Sequence, residues 1–228
     1  MQPFRRSVLV ATALLALGVL GYGQGGQSQP TFRVATVKDF LANIGSNRTI
    51  VLAKGDYLLS AGYSFTSTFV SWNDYDDGKE LGIHNAVNLT IRGMDGAHIV
   101  SDSATAYVLG IYGGRNVTLD NLTIVRRPKA GAEVSGGTLY AESVSGLFLD
   151  RSLLDGPTTN GVELSEVRDV RITRSSIQDC SSSALSFTSS DGIEVSGCSL
   201  AKNSGYPLLY LEESDNVAFK KDKLQDNE

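Results

Sequence analysis

Glu142 and Glu163 are the two residues of this chain whose type and spacing best fit acid–base chemistry. Each lies in a short run of alternating apolar residues, and the two runs are one repeat apart. If these runs are neighbouring strands, the two glutamates occupy diagonal positions about 7–8 Å apart on one face. Two carboxyls so placed can serve as acid and base in glycoside hydrolysis. Two exposed glutamates on a strand are otherwise solvated side chains, and this alternative stays open.

A basic run formed by Arg126, Arg127 and Lys129 points to a second kind of chemistry. It lies in an insertion at residues 125–138, which we predict to overhang the same face as the two glutamates. There a cation could hold the carboxylate of a uronate sugar while an arginine or lysine removes the neighbouring proton, as a lyase requires. The alternative is a mobile, solvated loop.

A second insertion, at residues 61–80, holds an acidic cluster and the only tryptophan. Asp74, Asp76 and Asp77 offer the oxygen ligands that calcium prefers, although their spacing differs from that of an EF-hand loop. Calcium is therefore the one cofactor that the sequence suggests. Trp72 is predicted to stack on a ligand beside the same face, or alternatively to plug the hydrophobic core.

An internal repeat positions these candidates. It is anchored by apolar pairs at alternate positions: Leu89 and Ile91, Val117 and Leu119, Leu147 and Leu149, Val170 and Ile172, Ile193 and Val195, and Val217 and Phe219. Another apolar residue lies eight positions before each pair, at Leu81, Leu109, Leu139, Val162, Leu185 and Leu209. A third lies seven positions after the start of each pair, at Ile124, Leu154, Ile177, Leu200 and Leu224, with Gly96 breaking the rule in the first unit. Alternation without helical spacing indicates three short strands per unit. A unit this small cannot bury its apolar face alone, so each strand must pair with its copy in the next unit.

Alternation also predicts which side chains of each first strand face outwards, in two columns. The first column contains Gly82, Gly110, Tyr140, Glu163, Ser186 and Tyr210, and the second His84, Tyr112, Glu142, Ser165, Thr188 and Glu212. Tyrosine rings stack on the apolar faces of sugars, carboxylates accept hydrogen bonds from hydroxyls, and a histidine can exchange a proton near neutral pH. We therefore predict a sugar-binding groove lined by His84, Tyr112, Tyr140, Tyr210, Glu212 and Trp72. Strand faces are also rich in such residues where nothing binds, and this alternative stays open.

The repeat resembles the right-handed parallel β-helix of the pectate-lyase-like superfamily and is similar to bacterial secreted proteins with right-handed β-helix repeats. The resemblance covers residues 48–227 and includes the stretch from Arg48 to Ser60, which leads into the coils in such proteins. It implies an all-β, single-stranded right-handed parallel β-helix solenoid of seven or so coils. In enzymes of this superfamily the substrate lies along the outer face of the first strand, so the resemblance implies that location here. It leaves the activity open, because many activities share the fold.

One activity of the superfamily is rejected on its motifs. Polygalacturonase-like members carry Asn-Thr-Asp-Gly before the first strand, an Asp-Asp pair in the next coil and Gly-His-Gly in the coil after it. Here the matching residues are Thr-Thr-Asn-Gly at 158–161, three serines at 181–183 and Ser-Gly-Tyr at 204–206. Asn160 falls where the catalytic Asp would be, and the other acids and the histidine are missing. Asn160 and Gly161 are better explained by turn formation.

The two ends of the solenoid are predicted to differ. Thr36 and Asp39 give a capping-box-like start, and Gly45 an end, to a short helix that covers the N-terminal end. The last coil would leave an exposed strand edge, which either meets a partner or is protected by the charged tail. Cys180 and Cys198 fall in different columns of adjacent coils, so both are predicted to be free thiols.

Charge and the N-terminal residues limit the function classes. The net charge is −5 and no long basic run occurs, which argues against nucleic acid as a partner. Residues 1–23 have the arginines, short apolar run and small residues of a secretory signal peptide, with an uncleaved membrane anchor as the alternative. We predict a leader at residues 24–35, a β-helix domain with its N-terminal cap at 36–228, and a secreted or periplasmic location. No stable membrane span is expected after signal cleavage.

The leading hypothesis is a secreted β-helix protein that recognises an extracellular polysaccharide or cell-surface glycan along the first-strand face. If it is an enzyme, the predicted reaction is that of a polysaccharide lyase or a glycoside hydrolase. The alternative is a non-catalytic structural or adhesive module that binds protein or cell-surface partners. The oligomeric state is left open.

Overall fold

The computed structural model describes residues 29–227 and shows a solenoid of three β-sheets. Each coil contributes one strand to each sheet, and neighbouring strands are parallel except for one antiparallel pair at the N-terminal end. The all-β, parallel β-helix predicted from the repeat is therefore confirmed. The predicted signal peptide, residues 1–23, lies outside the described residues.

The strands follow one another in a regular order along the chain. They are β1 (Thr31–Val34), α1 (Val37–Asn43), β2 (Arg48–Leu52), β3 (Gly55–Leu58), a short 3₁₀ helix (Leu59–Gly62), β4 (Val70–Tyr75), β5 (Gly78–His84), β6 (Val87–Gly93), β7 (Ala97–Ser101), β8 (Leu109–Tyr112), β9 (Arg115–Asp120), β10 (Thr123–Arg126), β11 (Leu139–Glu142), β12 (Ser145–Asp150), β13 (Leu153–Asp155), β14 (Val162–Ser165), β15 (Arg168–Thr173), β16 (Ser176–Gln178), β17 (Leu185–Thr188), β18 (Asp191–Ser196), β19 (Ser199–Ala201), β20 (Leu209–Glu212), β21 (Asp215–Lys220) and β22 (Lys223–Gln225). The first sheet is β4-β5-β8-β11-β14-β17-β20, the second is β1-β2-β6-β9-β12-β15-β18-β21, and the third is β3-β7-β10-β13-β16-β19-β22.

The inward columns of the three sheets fill the interior as the repeat predicts. On the first sheet, Leu81, Leu109, Leu139, Val162, Leu185 and Leu209 lie side by side in register. All of these except Leu209 in the last complete coil are buried. Burying one such aliphatic side chain stabilises the fold by about 1.5–3 kcal/mol, so the stacked columns supply most of the driving force.

The repeat is interrupted in its first unit, where the sequence analysis found Gly96 as the exception. Ile99, not Gly96, lies beside Ile124 in the third sheet. Asp95 and Gly96 form an additional turn before β7, and Gly96 has a φ of +81°. The inserted turn displaces the apolar residue of this coil by three positions.

The tight turns between first and second strands depend on residues with positive φ. Asn88 and Asn116 have φ angles of 53° and 54°, a region that asparagine tolerates better than most residues. Nδ2 of Asn116 donates to Oδ1 of Asn88 at 2.9 Å, and Nδ2 of Asn88 donates to Oδ1 of Asn47 at 2.9 Å. The amides therefore satisfy one another from coil to coil. All four residues predicted for the turn, Asn88, Asn116, Asp169 and Asn216, have positive φ, but each is the second residue of the strand that follows the turn.

The predicted helix covers the N-terminal end of the core. The Thr36 hydroxyl accepts a hydrogen bond from the backbone N–H of Asp39, and Phe40 and Leu41 are fully buried. The helix ends as predicted, with Gly45 at the C′ position that follows the C-cap. The C-cap is Ile44, which has an extended conformation and a buried side chain.

The predicted boundary between leader and domain is wrong. Residues 31–34, assigned to the leader, form β1, which pairs in parallel with β2 and places Phe32 opposite Ile50. The backbone hydrogen bonds to β2 and the burial of Val34 make this segment the outer strand of the second sheet. The β-helix therefore begins at Thr31.

Two further observations concern the described residues as a whole. Cys180 and Cys198 are free and buried, as predicted. Within residues 29–227, no helix has the length and apolar character needed to cross a membrane.

The asparagine stack gives a test of the turn geometry. Asn116→Ala should lower the free energy of unfolding by about 1–3 kcal/mol, because alanine is strained at positive φ and the amide hydrogen bond is lost. Asn116→Gly should cost less, since glycine adopts this φ without strain. Its cost comes only from the lost hydrogen bond and from the larger conformational entropy of the unfolded chain. Urea denaturation of both variants measures the difference. If Asn116→Gly destabilises the protein as much as Asn116→Ala or more, the positive φ is not what makes asparagine important at this position.

Candidate functional site

The outward surface of the first sheet, which we call the first-sheet face, carries both predicted columns in register. Tyr140 lies between Gly110 and Glu163, and Glu142 lies beside Tyr112 on the neighbouring strand. The same register continues through β14 and β17 to β20. The outward positions predicted from alternation are therefore confirmed.

A continuous row of aromatic rings covers the N-terminal half of the first-sheet face. The ring of His84 stacks on that of Tyr112, with centroids 5.0 Å apart and planes inclined by 13°. The centroid of Tyr112 is 5.7 Å from that of Tyr140, which is 5.4 Å from that of Tyr107. Tyr107 was not predicted, because it lies in the irregular segment before β8. All four rings are half-buried, so each still presents surface to solvent.

Gly82 and Gly110 make room for this row. A β-carbon at Gly110 would lie 2.0 Å from Oε1 of Glu80 and 2.6 Å from a ring carbon of Tyr112. A β-carbon at Gly82 would lie 2.8 Å from Nε2 of His84. The two glycines thus form a floor over which the neighbouring side chains lie flat.

Glu163 is oriented by two hydrogen-bond donors. Its Oε2 accepts from the hydroxyl of Tyr107 at 2.5 Å and from Nδ2 of Asn160 at 2.6 Å. Oδ1 of Asn160 accepts from the backbone N–H of Ser183 in the next coil, which fixes the amide. Asn160, interpreted from the sequence as a turn residue, therefore also positions a carboxylate on the first-sheet face.

Glu142 lies beside a surface depression. Its Oε2 accepts from the hydroxyl of Tyr140 at 3.3 Å. Burial, assisted by the nearby Glu142 carboxylate, raises the pKa of Tyr140 to about 12, so this hydroxyl remains a donor at neutral pH. A depression of ≈ 310 Å³ opens here, lined by His84, Asn85, Tyr112, Gly113, Glu142 and Ser143.

Glu80, like Tyr107, is a residue of this face that the sequence analysis missed. It alternates with Gly82 and His84 on β5 and so faces outwards, yet it is fully buried. Its carboxylate accepts from the hydroxyls of Tyr112 and Tyr75 at 2.5 and 3.1 Å, and from Nδ2 of Asn73 at 3.2 Å. Burial raises the pKa of Glu80, and the hydrogen bonds from the three donors oppose this only in part. The sequence feature that could have predicted Glu80 is its alternate spacing with outward residues, beside the two outward glycines.

The predicted C-terminal part of the groove is set apart from the rings. Tyr210 and Glu212 are both on β20, and the hydroxyl of Tyr210 donates to Oε2 of Glu212 at 3.0 Å. Three coil steps separate Tyr210 from Tyr140, which is about 14 Å at the usual strand spacing. The intervening outward residues after Glu163 are Ser165, Ser186 and Thr188. These small side chains separate the aromatic row from β20.

Trp72 does not face the groove, contrary to the prediction. β4 runs antiparallel to β5 and pairs Trp72 with the inward residue Leu81. The indole N–H donates to the carbonyl of Phe65 at 2.7 Å, and its ring packs edge-on against Tyr63. Trp72 therefore packs against the core, as the alternative prediction held. The neighbour that does reach the face is Ser71, whose hydroxyl lies 2.6 Å from Nε2 of His84.

His84 keeps its predicted position. Burial lowers the pKa of this imidazole, which favours its neutral form at physiological pH. The stacked, neutral ring is therefore suited to packing against a ligand, with one ring nitrogen engaged by Ser71.

Arg126, the first of the predicted cations, does not line the first-sheet face. Arg126 is buried, and its guanidinium donates to the carbonyls of Ser103, Ala106 and Gly137. Burial lowers the pKa of Arg126 to about 10, but the group is enclosed and cannot meet a substrate there. Its role is to tie the segment that carries Tyr107 to the insertion, because its Nη2 joins the carbonyls on either side.

Arg127 and Lys129 are placed differently again. The guanidinium of Arg127 pairs with Asp56 at 2.5 Å, beside His98 on the outer face of the third sheet. This ion pair draws the start of the insertion away from the first-sheet face, which corrects the prediction for Arg127. Lys129 lies exposed in the loop that follows.

The three aspartates proposed as calcium ligands are not brought together. Asp74 pairs with Lys79 at 2.5 Å, and Asp76 lies at the exposed turn between β4 and β5. Asp77 accepts hydrogen bonds from the segment at 103–105 instead. Burial alone would raise its pKa, but these hydrogen bonds outweigh burial and hold the pKa well below its usual range. In residues 29–227 no group of three His, Cys, Asp or Glu side chains is arranged to hold a metal ion.

Comparisons with known proteins agree with the fold. Residues 82–224 match a family model described as "Right handed beta helix region". No curated protein sequence matches the chain. A crystal structure of a "putative glycosyl hydrolase" from Parabacteroides merdae is similar at 12% sequence identity, covering 85% of this chain and 95% of that chain, with a TM-score of 0.59. The structure of pectate lyase Pel9A has 12% identity and covers 89% of this chain and 79% of that chain, but its TM-score of 0.22 supports no argument. At such identities the similarity concerns the fold alone.

The environment of Glu80 predicts a pH effect on stability. Because burial raises its pKa above the unfolded value near 4.5, the stability contributed by protonated Glu80 is present below that value and lost as pH rises through the raised folded pKa. Glu80→Gln should remove this loss. In urea denaturation, the gain in free energy of unfolding of the variant over the unmodified protein should be larger at pH 7 than at pH 4. Glu166→Gln, on an exposed corner, is the control, and its free energy of unfolding should differ from that of the unmodified protein by the same amount at both pH values. An equal effect of Glu80→Gln at the two pH values would contradict the prediction.

Proposed function

The chain belongs to the right-handed β-helix family, and we propose that it binds an extracellular, hydroxyl-rich polysaccharide along the first-sheet face. The observation that carries the proposal is the row of half-exposed rings from His84 to Tyr107, with the carboxylates of Glu142 and Glu163 beside it. Rings at coil spacing can stack on successive sugar faces, and the carboxylates can accept hydrogen bonds from ring hydroxyls.

The length of the face suits a chain better than a single sugar. From Tyr112 on β8 to Glu212 on β20 there are four coil steps, or about 19 Å. The small residues Ser165, Ser186 and Thr188 leave the middle of this path open, and Tyr210 provides a second aromatic contact at its end. A polymer that lies across the strands would meet both aromatic regions.

The charge of the face favours a neutral polysaccharide over a uronate-rich one. The outward positions of β5, β8, β11, β14, β17 and β20 include Glu80, Glu142, Glu163 and Glu212 and hold no lysine or arginine. Two of the three cations expected to attract a uronate lie elsewhere, since Arg126 is buried and Arg127 is on the third sheet. An acidic face repels a polyanion and leaves neutral hydroxyls as the better partners.

Hydrolysis is the second candidate function, favoured by the placement of Glu142 and Glu163. Their strands are neighbours, and the register makes the two residues diagonal, about 7–8 Å apart. This separation is in the range of an acid and a base that activate a water between them. Both side chains are half-exposed, and the donors Tyr107 and Tyr140 orient their carboxyl groups.

Replacing a ring tests the binding proposal. Tyr140→Ala in the full chain should weaken polysaccharide affinity about tenfold, because a stacked ring is lost from the middle of the row. Isothermal titration against a panel of neutral and uronate-rich polysaccharides gives the dissociation constants, and we expect binding in the neutral group. Phe148→Ala is the matched control: Phe148 faces outwards on β12 of the second sheet and should leave affinity unchanged.

Two results would contradict the proposal. One is equal loss of affinity in the two variants, which would indicate a general effect on the fold. The other is a folded protein that binds no polysaccharide across a broad panel, which would favour the alternative of a structural or adhesive module.

The hydrolytic candidate has its own measurement. If the pair is catalytic, incubation of the bound polysaccharide with the protein should release new reducing ends without unsaturated, ultraviolet-absorbing products. Glu142→Gln and Glu163→Gln should each lower that rate at least about 100-fold, because each removes one proton-transferring group. Affinity for the intact polymer should persist in both variants. Binding without reducing ends would reject hydrolysis and leave the binding proposal intact, whereas ultraviolet absorbance would indicate a lyase.

A further inference from the structure

Ser71 and His84 form a hydrogen-bonded pair on the first-sheet face. Oγ of Ser71 lies 2.6 Å from Nε2 of His84, although the two residues are 13 positions apart in the sequence. The antiparallel strand β4 brings them together, because it pairs Ser71 with Gly82, which faces outwards two positions before His84. The insertion at residues 61–80 therefore places a hydroxyl beside the histidine of this face.

Gly82 allows the two side chains to converge. A β-carbon at this position would lie 2.8 Å from Nε2 of His84 and 3.1 Å from Oγ of Ser71, so both atoms occupy the space above the glycine. The ring of His84 is also held by stacking on Tyr112, with the two planes inclined by 13°. The glycine thus leaves room for the contact between hydroxyl and imidazole, and the stack fixes the plane of the ring.

The state of the imidazole suits it to act as a base. Burial lowers the pKa of His84, so the ring is neutral at physiological pH and one of its nitrogens has a free lone pair. With the ring proton on Nδ1, the Ser71 hydroxyl donates to Nε2, which is the arrangement in which a histidine activates a serine. Both residues are half-exposed, so a substrate can reach the hydroxyl from solvent.

The surroundings of the pair indicate the kind of substrate. A serine activated by a histidine attacks the carbonyl carbon of an ester and takes up its acyl group. The depression of ≈ 310 Å³ that borders His84 has room for a small acyl group beside the path of the polysaccharide. Glu142 lines the same depression and would repel a carboxylate, so an uncharged acyl group suits it better.

We propose that Ser71 and His84 remove O-linked acyl groups, such as acetyl esters, from a neutral polysaccharide on the first-sheet face. The polysaccharide part of this substrate rests on the proposed function. The acyl-transfer part rests on the geometry of the pair, which is independent of any glycan.

The reaction has two steps, and water is the second reactant. Oγ of Ser71 attacks the ester carbonyl carbon while Nε2 of His84 takes the hydroxyl proton. The bond from that carbon to the sugar oxygen then breaks, and the sugar oxygen receives the proton. Water attacks the acyl-serine as His84 takes one of its protons, and the bond to Oγ breaks as the proton returns to Oγ. The products are a free sugar hydroxyl and a carboxylic acid.

The first experiment measures acyl transfer without a glycan. The full chain is incubated with para-nitrophenyl acetate, and the release of nitrophenolate is followed. Ser71→Ala and His84→Gln should each lower the rate at least about 100-fold, because each removes a group that the first step requires. Ser60→Ala and His98→Gln are the matched controls, since that hydroxyl and that imidazole each bond to an aspartate instead, and their rates should be unchanged.

A phosphonylating probe identifies the nucleophile in the unmodified protein. An alkyl fluorophosphonate should add to Oγ of Ser71 with loss of fluoride, and mass spectrometry of the peptides locates the adduct. Ser71→Ala should abolish this adduct. Because the main readout uses the unmodified protein, it does not depend on whether a variant folds.

Acetylated xylan, an uncharged polysaccharide, tests the complete substrate. The protein should release acetate from it, and Ser71→Ala should abolish the release while affinity for deacetylated xylan is retained. An unlabelled Ser71, or hydrolysis that survives Ser71→Ala, would overturn the inference whether or not a glycan binds. A labelled Ser71 that releases no acetate from bound acetylated xylan would overturn the glycan ester as the substrate. Failure to bind any polysaccharide would contradict the proposed function, and it would be detected by titration rather than by labelling.

Discussion

Each strand in this protein pairs with the strand that occupies the same place in the next coil, and this displacement by one repeat is the constraint on which the structure depends. A shift of pairing by one residue would move every inward side chain to the outside. The column from Leu81 to Leu209 and the column from Gly82 to Tyr210 are therefore two results of a single register. The positive-φ asparagines at the corners hold that register, because each amide bonds to its copy in the adjacent coil.

The same displacement assembles the candidate site from residues far apart in sequence. Tyr107 and Glu163 are 56 residues apart, yet their side chains are hydrogen bonded. The glycines in the outward column then decide how the polar groups pack. At Gly110 the absence of a side chain admits Glu80 and the ring of Tyr112, so a carboxylate that faces outwards becomes buried. A larger residue there would force both groups into solvent and break the row of rings.

How much could be predicted from the sequence depends on whether a residue obeys the repeat. Tyr140, Glu142 and Glu163 lie on regular strands, and alternation placed all three correctly. The errors occur where the repeat is interrupted. Trp72, for example, is on a strand that runs antiparallel to its neighbour. The burial of Arg126 depends on carbonyl groups in two irregular segments, which no periodicity describes.

Alternation also separates two surfaces that differ in chemistry. The sides of the solenoid display outward columns, where polar and aromatic residues remain in contact with water. In the last coil of the described residues, the inward residues Phe219 and Leu224 are exposed. A substitution in an outward column such as that of Tyr140 therefore acts on the first-sheet face, whereas one at Leu224 acts on the end. Outward positions of the repeat therefore set the chemistry of the sides of the solenoid, whereas inward positions set the packing of its core.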